Sequence, residues 1–193
     1  MPEKEIEIYY PTSRTDWKNW LGKNHLSKQC IWLVFYNKNS EKDSISWSDA
    51  VDVALCFGWI DSKKQSIDKC SYRQFYSKRK SNSTWSKINK EKVRKLIKNG
   101  QMMPAGYKSI ETAKQNGSWS ILDEVEELII PKDLETAFKN QVGSKDYFLG
   151  LSKSTRKAIL QWVVLAKRLE TRQNRIYQIS ALAVQGKIPK QFK

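Results

Sequence analysis

Apolar positions in this chain recur at two periods, broken by turn residues. Glu5 to Tyr10 alternates charged and apolar residues, which predicts a short strand closed by Pro11. Thr12 or Ser13 then offers a helix N-cap, with Asp16 in the first turn. Trp17, Trp20 and Leu21 share one face of that helix, and Gly22 and Asn24 mark its end. Cys30 to Tyr36, CIWLVFY, is apolar throughout, which predicts a central strand buried on both faces. After a polar turn from Asn37 to Asp43, Ser48 caps a helix that is apolar almost all round, from Ala50 to Phe57. Gly58 suits its C′ position, and Trp59 and Ile60 follow as an apolar anchor.

The pattern then returns to a period of two. Asp61 to Asp68 and Cys70 to Ser77 read as the two strands of a hairpin, the first polar on both faces and at an edge. In the second strand, Tyr72, Gln74 and Tyr76 fall on one face, and Arg73 and Phe75 on the other. Lys78 to Ser83 is a loop, and Ser83 or Ser86 starts a helix with Val93, Leu96 and Ile97 inward and Gly100 as its stop. Pro104 opens another helix that Gly117 ends. Beyond it the apolar spacing is helical: a short helix over Asp133 to Asn140, one capped by Ser154 or Thr155 with Ile159, Trp162, Val163 and Ala166 on one face, and one over Glu170 to Gln185 with Ile176, Ile179 and Ala183 inward. The fold class is therefore α+β: an N-terminal lobe of about four strands with helices, then an all-helical lobe.

Charge marks the boundary. Residues 62–98 hold thirteen bases against two acids, whereas residues 118–135 hold six acids against one base. We read residues 1–117 as the α+β lobe, 118–131 as a connector that is apolar enough to pack, and 132–193 as the helical lobe. Over all 193 residues the net charge is +15, which favours an anionic ligand or nucleic acid as partner, against the plainer reading of a solvated lysine-rich surface. The three cysteines, Cys30, Cys56 and Cys70, fit no zinc spacing. Cys30 and Cys56 sit in apolar runs and read as buried thiols of a reducing compartment. No apolar run reaches the ~20 residues of a spanning helix, and no apolar signal segment opens the chain. The expectation is a cytoplasmic protein without a membrane span.

The stretches DAVDVALCFGWIDS, YRQFYSKRKSNSTWSKIN and GQMMPAG, with LSKSTRKAILQWVVLAKRLETRQNRI near the C-terminus, resemble the YdeI/OmpD-associated, or bacteriocin-protection, family. The resemblance spans most of the chain. It implies a bacterial, cytoplasmic protein associated with tolerance of bacteriocins, antimicrobial peptides or other stress, and it brings no catalytic residues with it.

Residue types exclude several chemistries. His25 is the single histidine, so a Ser-His-Asp triad would depend on it alone, and near a helix C-terminus it suits the end carbonyls. No HExxH, CxxC, P-loop or GxGxxG occurs, so neither a metal nor a cofactor is expected. Asp61 and Asp68 are the carboxylates of the basic region, but seven positions put them on opposite strand faces unless a bulge intervenes. Their plainer roles are capping the turn after Gly58 and starting the hairpin loop.

The candidate ligand-binding set is Arg73, Arg79, Lys80, Trp85, Tyr72, Tyr76 and Asp61. It joins aromatic faces to clustered bases, as single-strand nucleic-acid sites and bidentate anion sites do. At its centre we expect Arg79, in an exposed loop leading to a helix start, with Trp85 at the same end to stack on a planar ligand. Two competing readings remain open: an edge strand protected by charge, and an Arg79 that pairs with Asp61 or Asp68 and closes the fold. The preferred function is tolerance of stress or bacteriocins through binding of an anionic ligand on this hairpin. The alternatives are a nucleic-acid-binding module and a small-molecule enzyme with a pocket near Trp59, Asp61, Arg79 and Trp85.

Overall fold

The structure, a computed structural model, describes residues 6–37 and 40–192. The chain divides into two compact units, Met1–Trp119 and Ser120–Lys193. Among the described residues no helix is long and apolar enough to cross a membrane.

The first unit holds a four-stranded sheet of order β1-β2-β4-β3. Its strands are β1 (Ile8–Tyr9), β2 (Cys30–Tyr36), β3 (Trp59–Ser66) and β4 (Ser71–Lys78). β1 runs parallel to β2, while β4 runs antiparallel to both β2 and β3. Four helices accompany it: α1 (Arg14–Asn24), α2 (Trp47–Cys56), α3 (Lys87–Lys98) and α4 (Pro104–Gln115). Ile31, Leu33, Phe35, Trp59 and Tyr76 make one face of the sheet and join Trp17, Leu21 and the whole inner stripe of α2 in a single core.

The other face is different. β2 is central, but its residues alternate between buried and half-buried, so it is buried on one side and not on both. A continuous apolar run marks a strand internal to the sheet but not how many layers cover it. Cys30 lies on the open side and is half-buried, so Cys56 alone of the two is a buried thiol; all three cysteines are free.

Several ends differ from the pattern by one turn. Ser13 caps α1 as expected, but Ser46, not Ser48, caps α2, and Ser86 caps α3. Gly22 lies inside α1, and Ile97 of α3 is exposed rather than inward. The first hairpin strand starts at Trp59 and stops at Ser66, which moves Asp68 into the turn. Gly58 holds φ +71°, and a Cβ there would come within 2.9 Å of the Ala105 carbonyl oxygen. Gly106 is tighter still: a Cβ would lie 2.4 Å from the Cys56 carbonyl oxygen. These two glycines let the end of α2 touch the start of α4. Glu5, Lys38 and Asn39, which the sequence reading placed in the first strand and the polar turn, lie outside the described residues.

The second unit is helical: α5 (Asp123–Glu126), α6 (Lys132–Lys139), α7 (Ser144–Gly150), α8 (Lys153–Val164), α9 (Leu169–Val184) and a closing 3-10 turn (Lys190–Phe192). Its core gathers Leu122, Val125, Leu134, Phe138, Phe148, Ile159, Leu160, Val163, Ile176 and Ile179. Ser152 caps α8, two residues before the serine its sequence favours, and Ala166 falls beyond the helix. α7 leaves no mark in the sequence pattern, because about two turns are too short to show a period. Trp119 packs in the first core, and Leu122 and Val125 in the second.

Candidate anion site and its surroundings

β4 sets out the candidate residues by alternation. Its register pairs Trp32 with Phe75 and Val34 with Arg73, so Arg73 faces the open side of the sheet. There its guanidinium lies 4.7 Å from the centre of the Trp32 ring, and Trp32 meets Phe75 edge to face at 5.1 Å. Arg73 Nε also donates to Gln65 at 2.8 Å. Tyr72 and Tyr76 face the other way. Tyr76 is fully buried against Phe35 and Trp17, where burial pushes its phenol far above its usual range. The expected set therefore does not form one surface: Tyr72, Tyr76 and Asp61 share the inner face, Arg73 the outer, and Lys80 stands exposed in the loop.

Arg79 differs most from expectation. The backbone after it is exposed, but the side chain is not. Its guanidinium lies 3.7 Å from the centre of the buried Trp85 ring, Nη2 donates to the Thr84 carbonyl at 2.6 Å, and its backbone N–H reaches Gly58 O at 2.9 Å. Trp85 is thus covered by arginine and by Trp119 at 5.0 Å. No carboxylate pairs with Arg79 among the described residues, so it closes no ion pair with Asp61 or Asp68. Burial lowers its pKa to about 10, against an opposing pull from the Asp61 charge.

Nε and Nη1 of Arg79 are buried and lack a hydrogen-bond partner, as do the indole N–H groups of Trp59 and Trp85 and the Tyr76 hydroxyl. Such groups cost about 1–3 kcal/mol each when unsatisfied, more when charged. Four of the five are donors only.

Arg79 and Trp59 line a cavity of about 340 Å³. Its other walls are Lys78 from β4, Lys108, Ser109 and Thr112 from α4, and His25 from the end of α1, over an apolar floor that includes Leu26 and Phe57. No acid lines it. Lys78 Nζ is held by the Leu26 carbonyl at 2.7 Å, and His25 Nδ1 by the Leu21 carbonyl at 2.8 Å, as its position near a helix end suggests. Lys108 forms no ion pair among the described residues. Chemically, the cavity offers the positive charges of Lys78, Arg79 and Lys108 beside an apolar surface, which suits a phosphate or carboxylate with an organic body. The α4 wall was not foreseen. Its signal was present, since Ala105, Lys108, Ser109 and Thr112 recur at helical spacing, but nothing local ties that face to the hairpin.

Asp61 does not cap the turn after Gly58. Its Oδ2 accepts from Trp47 Nε1 at 2.9 Å and Gln74 Nε2 at 3.1 Å. Asp68 does hold the hairpin turn, accepting from the backbone N–H groups of Cys70 and Ser71 at 2.7 Å each, and these bonds lower its pKa. A bulge does fall between Asp61 and Lys64, yet Asp68 lies beyond the strand, so the two aspartates form no dyad. No group of three or more potential metal ligands occurs among the described residues.

Comparison with known proteins gives two family matches. Residues 127–186 match the family described as bacteriocin-protection, YdeI or OmpD-associated. Residues 9–109, just over half of the chain, match a domain of unknown function, DUF8412. No curated protein and no solved structure matches the chain. The bacteriocin-protection match is narrower than the resemblance read from the sequence, because the N-terminal motifs fall under the other family. The chain belongs to the DUF8412 family, whose match lies in its sheet-bearing unit, and part of its helical unit is similar to the YdeI/OmpD-associated family.

Proposed function

We propose that this protein serves bacteriocin or stress tolerance in the cytoplasm by binding, and that its first unit takes an anionic ligand in the Arg79 cavity. The role in tolerance rests on the description of the family that residues 127–186 match. The reading of the site rests on one observation: a cavity lined by Lys78, Arg79, Lys108 and His25, with no acid, into whose walls a guanidinium with two unpartnered nitrogens is built. Folding tolerates an unpaired buried cation poorly, and an anion in the cavity would supply the opposite charge that Arg79 lacks. Of the sequence-derived set, Arg79 remains central, and Trp85 supports it from behind rather than stacking on the ligand. Lys80 and Arg73 lie outside the cavity lining.

Titration of the full chain with pyrophosphate at ~0.15 M salt, where screening acts beyond ~8 Å, tests the reading. Binding should weaken about tenfold in Lys108→Ala, the worth of one charged contact. Affinity that is unchanged in that variant, or no binding at millimolar ligand, defeats it.

A second reading, single-strand nucleic-acid binding, draws on the open sheet face, where Arg73 covers Trp32 beside Phe75. Aromatic platforms of this kind contribute about 1–3 kcal/mol per stacked base. A salt-dependent gel shift lost in Phe75→Ala and kept in Lys108→Ala would favour it.

A further inference from the structure

A second concavity, of about 380 Å³, lies between α2 and the hairpin, lined by Trp47, Asp61, Lys64, Tyr72 and Gln74. It shares no lining residue with the Arg79 cavity. The bulge between Asp61 and Lys64 builds it. Asp61 pairs with Tyr76 and Lys64 with Gln74, so both stand on the face of the sheet that Gln74 and Tyr72 occupy.

The hydrogen bonds inside it are lopsided. Gln74 is 5% exposed, and its amide nitrogen donates to Asp61 Oδ2 at 3.1 Å and to the Ser62 carbonyl at 3.0 Å. Both amide hydrogens are thereby used, which fixes which end of the amide is the oxygen. Trp47 Nε1 donates to the same Asp61 oxygen at 2.9 Å. Two acceptors, Asp61 Oδ1 and Gln74 Oε1, carry no hydrogen bond among the described residues, and Asp61 forms no ion pair there. The walls are aromatic. Tyr72 lies flat on Phe35 at 5.1 Å and 8°, Lys64 Nζ sits 4.0 Å above the Tyr72 ring, and Trp47 is 47% exposed.

Two acceptors between aromatic walls call for a planar group with two adjacent N–H donors. A guanine base presents N1–H and the 2-amino group side by side; a guanidinium does so as well. Adenine offers a donor beside an acceptor and leaves one oxygen unmatched, and unmatched buried polar groups are what make such sites selective. The ammonium of Lys64 and the net charge of +15 oppose a guanidinium and suit a phosphate carried by the ligand. We propose that this groove is a binding site for the guanine base of a nucleoside or nucleotide, with Asp61 and Gln74 accepting from its donor edge and the exposed Trp47 stacking on it.

Calorimetry of the full chain with guanosine, adenosine and arginine amidated at its carboxyl tests this, because none of the three carries a phosphate or carboxylate to engage the Arg79 cavity. Guanosine should bind at least about tenfold more tightly than adenosine and arginine, the worth of one well-made hydrogen bond. Asp61→Asn, which replaces one acceptor by a donor, should erase that preference. Trp47→Ala, at an exposed position, should weaken guanosine about tenfold and leave pyrophosphate binding intact. Equal affinity for adenosine, tighter binding of arginine, or a preference that survives Asp61→Asn overturns the assignment. Guanosine binding that persists while pyrophosphate fails to bind would defeat the anion site and leave this one standing.

Discussion

Arg172 in the helical unit and Arg79 in the sheet-bearing unit are both arginines near a domain surface, and they are held on opposite terms. Arg172 lies against Asp133 with two contacts, Nε to Oδ2 at 2.6 Å and Nη2 to Oδ1 at 2.9 Å. Lys157 likewise meets Glu126 at 2.6 Å and Lys145 meets Glu135 at 2.5 Å. Arg175 gives a nitrogen to the Trp162 carbonyl at 2.5 Å. In that unit, the single buried polar side-chain atom left without a partner among the described residues is Arg156 Nε. The sheet-bearing unit leaves five, and they belong to Trp59, Tyr76, Arg79 and Trp85. A fold selected for stability alone leaves few buried polar atoms unmatched, as the helical unit does with the one exception of Arg156 Nε. Unmatched donors cost stability and persist where something else uses them. The difference supports the proposal of ligand chemistry in the first unit, with the ion pairs of the second holding its own helices.

The sharpest way to break this comparison is to remove both guanidinium groups and compare signs. Arg79→Met keeps an unbranched apolar side chain against Trp85 and deletes the unpaired charge. Pyrophosphate affinity should fall by about 10- to 100-fold, the range for one charged hydrogen-bonding group. Urea denaturation should show no loss of stability, because replacing an ill-matched buried charge by an apolar group is often neutral or stabilising. A stability loss of several kcal/mol with unchanged anion affinity would make Arg79 structural and dissolve the contrast.

Arg172→Met should act the other way and more gently. It leaves Asp133 without its partner, at a site where the pair is partly open to solvent. The expected cost is about 1 kcal/mol, with pyrophosphate affinity unaltered. Loss of anion binding in this variant would mean that the matched unit carries ligand chemistry after all.

How far the sequence reveals this contrast depends on what each residue's neighbours are. Alternation along β4 placed Tyr72, Gln74 and Tyr76 opposite Arg73 and Phe75 without error, since a strand's period needs no tertiary information. Gly58 and Pro104 marked element ends for reasons of backbone geometry alone. Caps were legible only to within a turn: Ser46 and Ser48, or Ser152 and Ser154, are equivalent until the backbone says which one precedes the helix. Burial of Arg79 was not legible. Lys78-Arg79-Lys80 reads as a solvated run, and it is the fold-back of Trp85 that takes the middle residue out of water. The Lys108 wall was hidden for the same reason, being contributed by a helix some thirty positions downstream. The Asp61–Lys64 bulge has no sequence mark either, yet it decides which side chains meet Gln74.

The smallest effect, and the most direct check on the matched unit, is its response to acid. The Asp133 carboxyl is held below the usual carboxylate range, first by its hydrogen bonds from Arg172, which outweigh the opposing effect of burial, and then by that guanidinium's charge and the Leu134 backbone N–H. A carboxylate whose folded pKa lies below its unfolded one binds fewer protons in the folded state. Its contribution is complete above the unfolded value and drains away as pH falls through the folded one. The helical unit should therefore lose stability between about pH 5 and pH 2, by no more than about 1 kcal/mol from this partly exposed pair. Asp68 provides the internal control, because it too is held low, but by the Cys70 and Ser71 backbone in the hairpin turn of the other unit. NMR titration of both carboxyls in the parent chain and in Arg172→Met separates the causes. In the variant, Asp133 should titrate at a higher pH and the acid loss of the helical unit should shrink, while Asp68 stays where it was. If Asp133 titrates at the same pH with and without Arg172, the pair is a surface coincidence, and the claim that the helical unit matches its cations for stability loses its strongest example.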